Sequence, residues 1–205
     1  MALWYKHHSP LWGIWKLEES SDELLAKLEY KAVYQPFLER VFSEKRRQEH
    51  LACRVLLKEL LGEEALVDYH PNGAPFLPQR PLCISISHTK DYVAVILDEH
   101  PTGIDIEYRS NRILKIRSRF MNAVEEAGIE PAHEVEHLLV HWCAKETLFK
   151  VMGQENVDFR EHLHVRPFPY ADQGLFMGFE TRTPDHREYK LAYQVTPEYV
   201  LTWCR

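Results

Sequence analysis

The sequence predicts an α+β fold made of two similar halves, and three features support this prediction. Each half contains a helical segment that ends at a glycine, Gly62 in the first and Gly153 in the second. Each half then has a pair of alternating apolar segments, which is typical of a β-hairpin. The tetrapeptides KDYV at 90–93 and PEYV at 197–200 are also similar. We therefore expect a pseudo-twofold duplicated fold, with halves at 1–101 and 102–205 and the active site at the seam between them.

Two helices are predicted in the first half. Ser20 is a suitable N-cap and Glu23 is placed to complete a capping box, so a helix should run through Leu28 and end at Pro36. Ser43 is the predicted N-cap of a second helix, which Gly62 should end.

The remaining elements are predicted from the spacing of apolar residues. Strands are expected at 82–87, 92–97, 103–107, 189–195 and 199–204, and a long helix at about 134–152. The first two strands and the last two strands should each form a hairpin.

Composition limits the class of protein. A chain of 205 residues with 45% hydrophobic residues can bury a core. Its net charge of −6 argues against a general nucleic-acid binder, because such proteins need a broad positive surface. The N-terminal residues do not resemble a secretory signal, no apolar stretch is long enough for a membrane span, and the cysteines form no C-x-x-C pair. We expect a cytoplasmic protein with no membrane or nucleic-acid partner.

The segment Ile104-Asp105-Ile106-Glu107 has the pattern of half a metal site. The period of a strand sends both isoleucines to one face and both carboxylates to the other, where they can share a cation. Taken alone, the tetrapeptide favours an ordinary strand that has one solvated face over a metal site.

The long helix adds a third carboxylate. Helical spacing places Val135, Leu138, Leu139, Trp142 and Phe149 on one apolar stripe, with Glu146 in its middle. A buried unpaired charge is costly, so Glu146 should have a lysine or a metal ion as its partner. A simple helical pair with Lys150 is the alternative, but it would stabilise the helix by only about 0.2–0.5 kcal/mol.

An all-oxygen ligand set of Asp105, Glu107 and Glu146 favours a hard cation, and a site that handles phosphate favours magnesium. Lys145 and Lys150 flank the same stripe and are candidates for phosphate contacts.

Two segments resemble the signature motifs of the 4′-phosphopantetheinyl transferases: TGIDIE at 102–107 and WCAKETLFK at 142–150. The closer resemblance is to the long, duplicated Sfp-type branch. Ile86-Ser87-His88 is similar to the family's I-S-H segment, and residues 52–57 are similar to its arginine-bearing helix. The resemblance implies two α+β halves with coenzyme A bound in the cleft between them. It also implies transfer of the phosphopantetheine group of coenzyme A to a serine of an acyl- or peptidyl-carrier protein.

The resemblance implies a role for each matching residue. Asp105, Glu107 and Glu146 would hold magnesium, and Glu146 would also help to remove the serine proton. Lys150 and His88 would contact phosphates, and Lys145 would line the same cleft. Arg47, Arg54 and Ser87 would bind the 3′-phosphoadenosine end of coenzyme A, although Arg46 competes with Arg47 in this alignment. The family's usual lysine in a G-K-P segment is replaced here by Ala74.

Two other charged patterns have ordinary interpretations. His133, His137 and His141 recur every four residues and could bind zinc, but no adjacent acid completes a site, so we expect a solvated row. The basic stretch from Arg109 to Arg119 is either a solvated connection or a docking surface for an acidic carrier protein.

Two competing functions remain open at the level of sequence. The chain could be a non-catalytic homologue that binds coenzyme A or a carrier protein, which Ala74 favours weakly. It could also be a magnesium-dependent phosphodiesterase. Because a duplicated chain can build its own cleft, we expect a monomer.

Overall fold

The computed structural model describes residues 3–205. Met1 and Ala2, the start of the segment assessed for a secretory signal, lie outside the described residues. The chain forms two compact units, Met1–His100 and Pro101–Arg205. Helices and antiparallel sheets occur in both units, so the α+β fold class is confirmed. The duplication and the seam stay predictions.

The first unit contains a four-stranded antiparallel sheet in the order β1-β2-β6-β5. Its strands are β1 (Leu3–His8), β2 (Leu11–Lys16), β5 (Cys83–Thr89) and β6 (Tyr92–Asp98), and β3 (Asp68–Tyr69) and β4 (Pro75–Phe76) form a separate short ladder. Its helices are α1 (Ser21–Ala26), α2 (Lys31–Arg40) and α3 (Glu44–Leu61). The β5–β6 hairpin was predicted, whereas β1 and β2 were not.

The first helix ends earlier than predicted, and the cause lies far along the chain. Ser20 and Glu23 form the predicted capping box. However, the backbone N–H groups of Glu29 and Tyr30 donate to the buried carboxylate of Glu64 instead of continuing the helix. The prediction that Pro36 ends the helix is wrong, because Pro36 lies inside the separate helix α2.

Helix α3 supplies the core of the first unit. Ser43 caps its start by accepting from the N–H of Arg46, and Gly62 ends it in the left-handed conformation with φ 80°, as predicted. Leu51, Leu56 and Leu57 are fully buried in one cluster with residues of the sheet. This packing fixes α3 against the sheet, and it thereby fixes the positions of the polar side chains at 46–54.

The second unit is a five-stranded antiparallel sheet in the order β7-β11-β10-β9-β8, with one long helix against it. Its strands are β7 (Ile104–Tyr108), β8 (Leu163–Val165), β9 (Gln173–Glu180), β10 (Glu188–Val195) and β11 (Tyr199–Cys204). Its α-helices are α4 (Ile113–Ile116), α5 (Ala123–Ala127) and α6 (Glu134–Met152), and short 3-10 turns occur at Arg117–Arg119 and Pro131–His133. The predicted strand β7, helix α6 and final hairpin are all present.

Helix α6 approaches the start of β7 so closely that only glycine fits there. A Cβ atom at Gly103 would lie 2.5 Å from the carbonyl oxygen of Thr147. At the other end, Gly153 adopts φ 61° and terminates α6 as predicted. The close approach brings the carboxylates of β7 next to the side chains of α6.

Within residues 3–205, no helix combines the length and the apolar character that a membrane span requires.

Candidate functional site

Strand β7 alternates as predicted. Ile104 and Ile106 are buried on one face of the sheet. Asp105 and Glu107 are on the other face, where they contact side chains of α6. Asp105 is also buried, with an exposed fraction of 4%, so this face of β7 is covered by the helix rather than solvated.

Lys150 of α6 is the cationic partner of Asp105. Its Nζ atom lies 2.7 Å from Oδ1 of Asp105 and 3.0 Å from the carbonyl oxygen of Ile104. Lys150 lies one helical turn after Glu146 in α6, but its ion pair is with Asp105 of the strand.

Glu107 is held by a residue that the sequence did not single out for this role. The indole Nε1–H of Trp142 donates to Oε1 of Glu107 over 2.8 Å. Burial raises the pKa of Glu107 to about 7, and the neighbouring charge of Asp105 adds to the increase. The signal in the sequence was the tryptophan at the start of the second motif, which reads equally well as a core residue.

Glu146 lies on the less buried side of α6, which corrects the predicted stripe. Trp142 is only partly buried and Phe149 is 36% exposed, so these residues flank Glu146 on a partly exposed face of the helix and not in the core. Glu146 itself is partly buried, and burial raises its pKa to about 7, with a further contribution from the charge of Asp105. The helix is buried on most of its other sides, so apolar spacing alone could not identify its exposed face.

Asp105, Glu107 and Glu146 form one electrostatically coupled group, with Lys150 as the nearby cation. Within the described residues 3–205, no cluster of three or more His, Cys, Asp or Glu side chains is arranged closely enough to hold a metal ion. The donor set is nevertheless all oxygen, and its mutual repulsion favours an added cation. The chemistry of this donor set, though not a preformed cluster, suits a hard cation that takes some of its ligands from a phosphorylated substrate, as magnesium commonly does.

The expectation that Lys145 contacts phosphate is corrected by the structure. Lys145 is fully buried, and its Nζ atom lies 2.7 Å from Oε2 of Glu125. It also donates to the carbonyl oxygens of Phe120 and Phe159. With three acceptors inside the unit, its ammonium group has no donor left for a ligand. Successive residues of an α-helix are rotated by about 100°, so Lys145 points to a different side of the helix from Glu146 and reaches the interior of the unit.

The first unit contains a cavity of about 380 Å³ with several cationic side chains. We call it the α3 cavity, and its polar and aromatic lining includes Arg46, Glu49, His50, Arg54, Tyr69 and His88. Arg54 is buried and donates to the carbonyl oxygen of His50 and to the hydroxyl of Tyr69, each over 3.1 Å. Two of the predicted ligand-binding residues, Arg54 and His88, thus share one cavity.

Arg47 and Ser87 are placed differently. The Arg47 guanidinium donates to the carbonyl oxygens of Val41 and Leu38, over 2.5 and 2.6 Å, and does not line the α3 cavity. Its neighbour Arg46 does line it. The structure thus corrects the predicted choice of Arg47 over Arg46 at this cavity. Ser87 is buried in β5 and is likewise absent from the cavity lining.

The prediction of a solvated histidine row is wrong for two of its three members. His137 and His141 are buried, with exposed fractions of 1% and 2%, and both rings contact Phe168. The Nδ1–H of His141 donates to the carbonyl oxygen of His137 over 2.9 Å, and burial lowers the pKa of His141 to about 3. Only His133 is exposed. The segment around Phe168, distant in sequence, covers this face of α6.

The basic stretch divides into paired and exposed residues. Arg109 forms an ion pair with Glu136, and Arg117 forms ion pairs with Glu126 and Glu134. Arg112, Lys115 and Arg119 are exposed on the surface. If this stretch binds an acidic carrier protein, Arg112, Lys115 and Arg119 are the residues that would contact it.

With this geometry established, comparison with known proteins identifies the family. A sequence model of the 4′-phosphopantetheinyl transferase superfamily matches residues 101–204, which include β7 and α6. The chain belongs to this superfamily. The carboxylates and Lys150 lie within the matched region.

Curated relatives agree with this assignment. The chain is 33% identical over 96 residues to 4′-phosphopantetheinyl transferase psf-1 of Bacillus pumilus, covering 45% of this chain and 41% of the relative. It is 32% identical over 120 residues to 4′-phosphopantetheinyl transferase AcpT of Escherichia coli K12, covering 53% and 59%. A 4′-phosphopantetheinyl transferase of Bacillus subtilis is 28% identical over 134 residues, covering 58% of each chain. The chain spans about half the length of the curated relatives it matches.

Proposed function

We propose that this protein transfers the 4′-phosphopantetheine group of coenzyme A to a serine hydroxyl of an apo acyl- or peptidyl-carrier protein, in the manner of the Sfp-type branch. The observation that carries the proposal is the coupled group of Asp105, Glu107 and Glu146 with Lys150, which β7 and α6 bring together inside the region matched by the family.

In this reaction the serine oxygen forms a bond to the β-phosphorus of coenzyme A. The bond between that phosphorus and the bridging oxygen of adenosine 3′,5′-bisphosphate breaks, and the bisphosphate leaves with the electron pair. The serine proton passes to Glu146, directly or through water. Lys150 stabilises negative charge on the phosphoryl oxygens.

Asp105, Glu107 and Glu146 would hold a magnesium ion together with oxygen atoms of the coenzyme A pyrophosphate. When bound, magnesium would stabilise the negative charge that develops on the transferred phosphoryl group. Trp142 keeps Glu107 oriented through its indole hydrogen bond. Lys150 forms an ion pair with Asp105 in the structure, and its ammonium group would also contact a phosphate oxygen of the bound substrate.

The α3 cavity would receive the 3′-phosphoadenosine end of coenzyme A. Arg54 and Arg46 supply positive charge there, and His88 supplies an imidazole that can donate to phosphate. The stacked pair of Phe37 and His50, with ring centroids 3.7 Å apart, supplies an aromatic surface. The carrier protein would contact the exposed cations Arg112, Lys115 and Arg119 through its acidic surface. The protein would act as a cytoplasmic monomer.

Intact-mass spectrometry of an apo carrier protein tests this function. Incubation with the protein, coenzyme A and magnesium should increase the carrier's mass by one phosphopantetheine group, and magnesium removal by a chelator should prevent the increase. A non-catalytic homologue, which the replacement of the usual lysine by Ala74 favours, would bind coenzyme A without changing the carrier's mass. Hydrolysis of coenzyme A with an unmodified carrier would instead indicate a phosphodiesterase.

A further inference from the structure

Among the described residues that line the α3 cavity, Glu49 is the one carboxylate, and the others present basic, aromatic and apolar side chains. Its side chain has an exposed fraction of only 12%. A carboxylate in this position opposes the binding of an anion, so its presence in a cavity lined by Arg46, Arg54 and His88 needs an explanation.

A single oxygen of Glu49 faces two of these basic side chains. Oε2 lies 3.3 Å from Nη1 of Arg46 and 3.7 Å from Nδ1 of His88. Arg46 and Glu49 are neighbours in α3, whereas His88 belongs to β5. Glu49 therefore holds side chains from two different elements at the cavity wall.

Both contacts are weak enough to be exchanged. The side chain of Arg46 is 64% exposed and that of His88 is 42% exposed, so solvent screens both pairs. The distances are also longer than those of strong charge-assisted hydrogen bonds. A phosphate dianion offers more charge and more acceptor oxygens than one carboxylate oxygen does. It can therefore replace Glu49 at Arg46 and His88, but the displaced carboxylate then remains nearby as a like charge.

We propose that Glu49 is an internal competitor for the phosphate group that the α3 cavity binds. In the absence of ligand it keeps Arg46 and His88 in place, and in the complex it limits the affinity for phosphate by repulsion. This inference rests on the proposed function, because it takes the ligand to be the 3′-phosphate of coenzyme A and of the adenosine 3′,5′-bisphosphate product. The consequence for turnover is that the product leaves more readily than the cations of the cavity would otherwise allow.

The experiment is a calorimetric titration of the wild-type protein and Glu49→Gln with adenosine 3′,5′-bisphosphate and with adenosine 5′-monophosphate. We expect Glu49→Gln to bind the bisphosphate about tenfold more tightly, and the monophosphate less than about twofold more tightly. The inhibition constant of the bisphosphate as a product of transfer should fall by the same factor. Glu49→Asp, which keeps the charge, should stay within about threefold of the wild type.

Glu59→Gln is the matched control, because Glu59 is an exposed carboxylate of the same helix that does not line the cavity. It makes the same change in net charge and should leave both affinities unchanged. Thermal unfolding of each variant shows whether it is folded, and Glu49→Ala, which removes the same charge and should tighten bisphosphate binding in the same way, provides the test if Glu49→Gln does not fold.

The outcomes separate this inference from the proposed function. If the wild type transfers phosphopantetheine and binds the bisphosphate, but Glu49→Gln binds it equally or more weakly, Glu49 is only a structural support and the inference fails alone. If the wild type neither binds the bisphosphate nor modifies a carrier, the proposed function fails and this inference fails with it.

Discussion

The ammonium group of Lys150 lies 2.7 Å from Oδ1 of Asp105 and thereby joins the last turn of α6 to the second residue of β7. Both residues lie in the region that the superfamily model matches. The pair acts electrostatically on Glu107 and Glu146. The positive charge of Lys150 lowers the pKa values of both glutamates, whereas burial and Asp105 raise them.

Replacing Lys150 by methionine should abolish most of the activity while keeping the length of the side chain. We expect the transfer rate to fall by about two orders of magnitude or more, because a charge that stabilises the phosphoryl oxygens is lost. Single-turnover transfer to an apo carrier protein measures this rate. Lys190→Met, at an exposed lysine of the same unit, is the control and should retain normal activity. A comparable rate for Lys150→Met and Lys190→Met would exclude the assigned role.

Glu146→Gln should separate activity from stability. We expect turnover to fall by about 100-fold or more, since the variant cannot accept the serine proton. The pKa of Glu146 in the folded protein, about 7, is above the usual value of 4.5. Its favourable contribution to stability is therefore present below about pH 4.5 and is lost as the pH rises through about 7.

The metal-free Glu146→Gln variant should accordingly show a higher melting temperature than the wild type at pH 8, and a smaller difference at pH 5. Differential scanning calorimetry at both pH values checks this expectation. A folded variant with near-normal turnover would refute the catalytic assignment, whatever its stability.

Lys145→Met should affect folding and not ligand binding. Removing one partner of a buried ion pair leaves Glu125 uncompensated, which we expect to cost about 3–5 kcal/mol in the free energy of unfolding. Adding Glu125→Gln should recover part of this loss, and urea denaturation of the single and double variants measures the coupling. Normal stability of Lys145→Met combined with weaker coenzyme A binding would restore the original assignment of Lys145 to the phosphate site.

His141 should make the protein sensitive to acid. Burial lowers the pKa of His141 to about 3, below the unfolded value of about 6.5, so its stabilising contribution is full above pH 6.5 and declines as the pH falls toward 3. The decline can reach about 1.4 kcal/mol per pH unit for one proton. His141→Phe should therefore reduce the loss of stability between pH 6.5 and 4, as measured by urea denaturation at several pH values. His133→Phe, at the exposed member of the row, should leave this dependence unchanged.

Ala74→Lys tests whether the β3–β4 loop lies beside the ligand. Ala74 precedes β4, and Tyr69 at the other end of the loop lines the α3 cavity. A lysine at this position should strengthen coenzyme A binding by about five- to tenfold through a charge-assisted contact. Calorimetric titration should show a smaller gain at high salt, and a smaller one for 3′-dephospho-coenzyme A if the contact is to the 3′-phosphate. Equal affinities of the variant and the wild type would place the loop away from the ligand.

Local features of the fold could be predicted because they depend on near neighbours in the chain. The capping box of Ser20 and Glu23, the left-handed glycines Gly62 and Gly153, and the alternation of β7 are each determined within a few residues. The strands β1, β2, β3, β4, β8 and β9 were missed. Helix α2 was also missed as a separate element, because the acceptor that interrupts the preceding helix is Glu64, more than thirty residues away.

The sequence by itself determined the chemistry of the candidate site, since residue types and motif spacing specify three carboxylates and a lysine on one strand and one helix. The tertiary structure decided which of the nearby charged side chains can contact a ligand. Glu125 neutralises Lys145, Trp142 orients Glu107, and Arg46 replaces Arg47 at the α3 cavity. The physical reason is that burial and ion pairing depend on which distant segments pack together. A periodic pattern in one helix describes its own faces but not the elements that cover them.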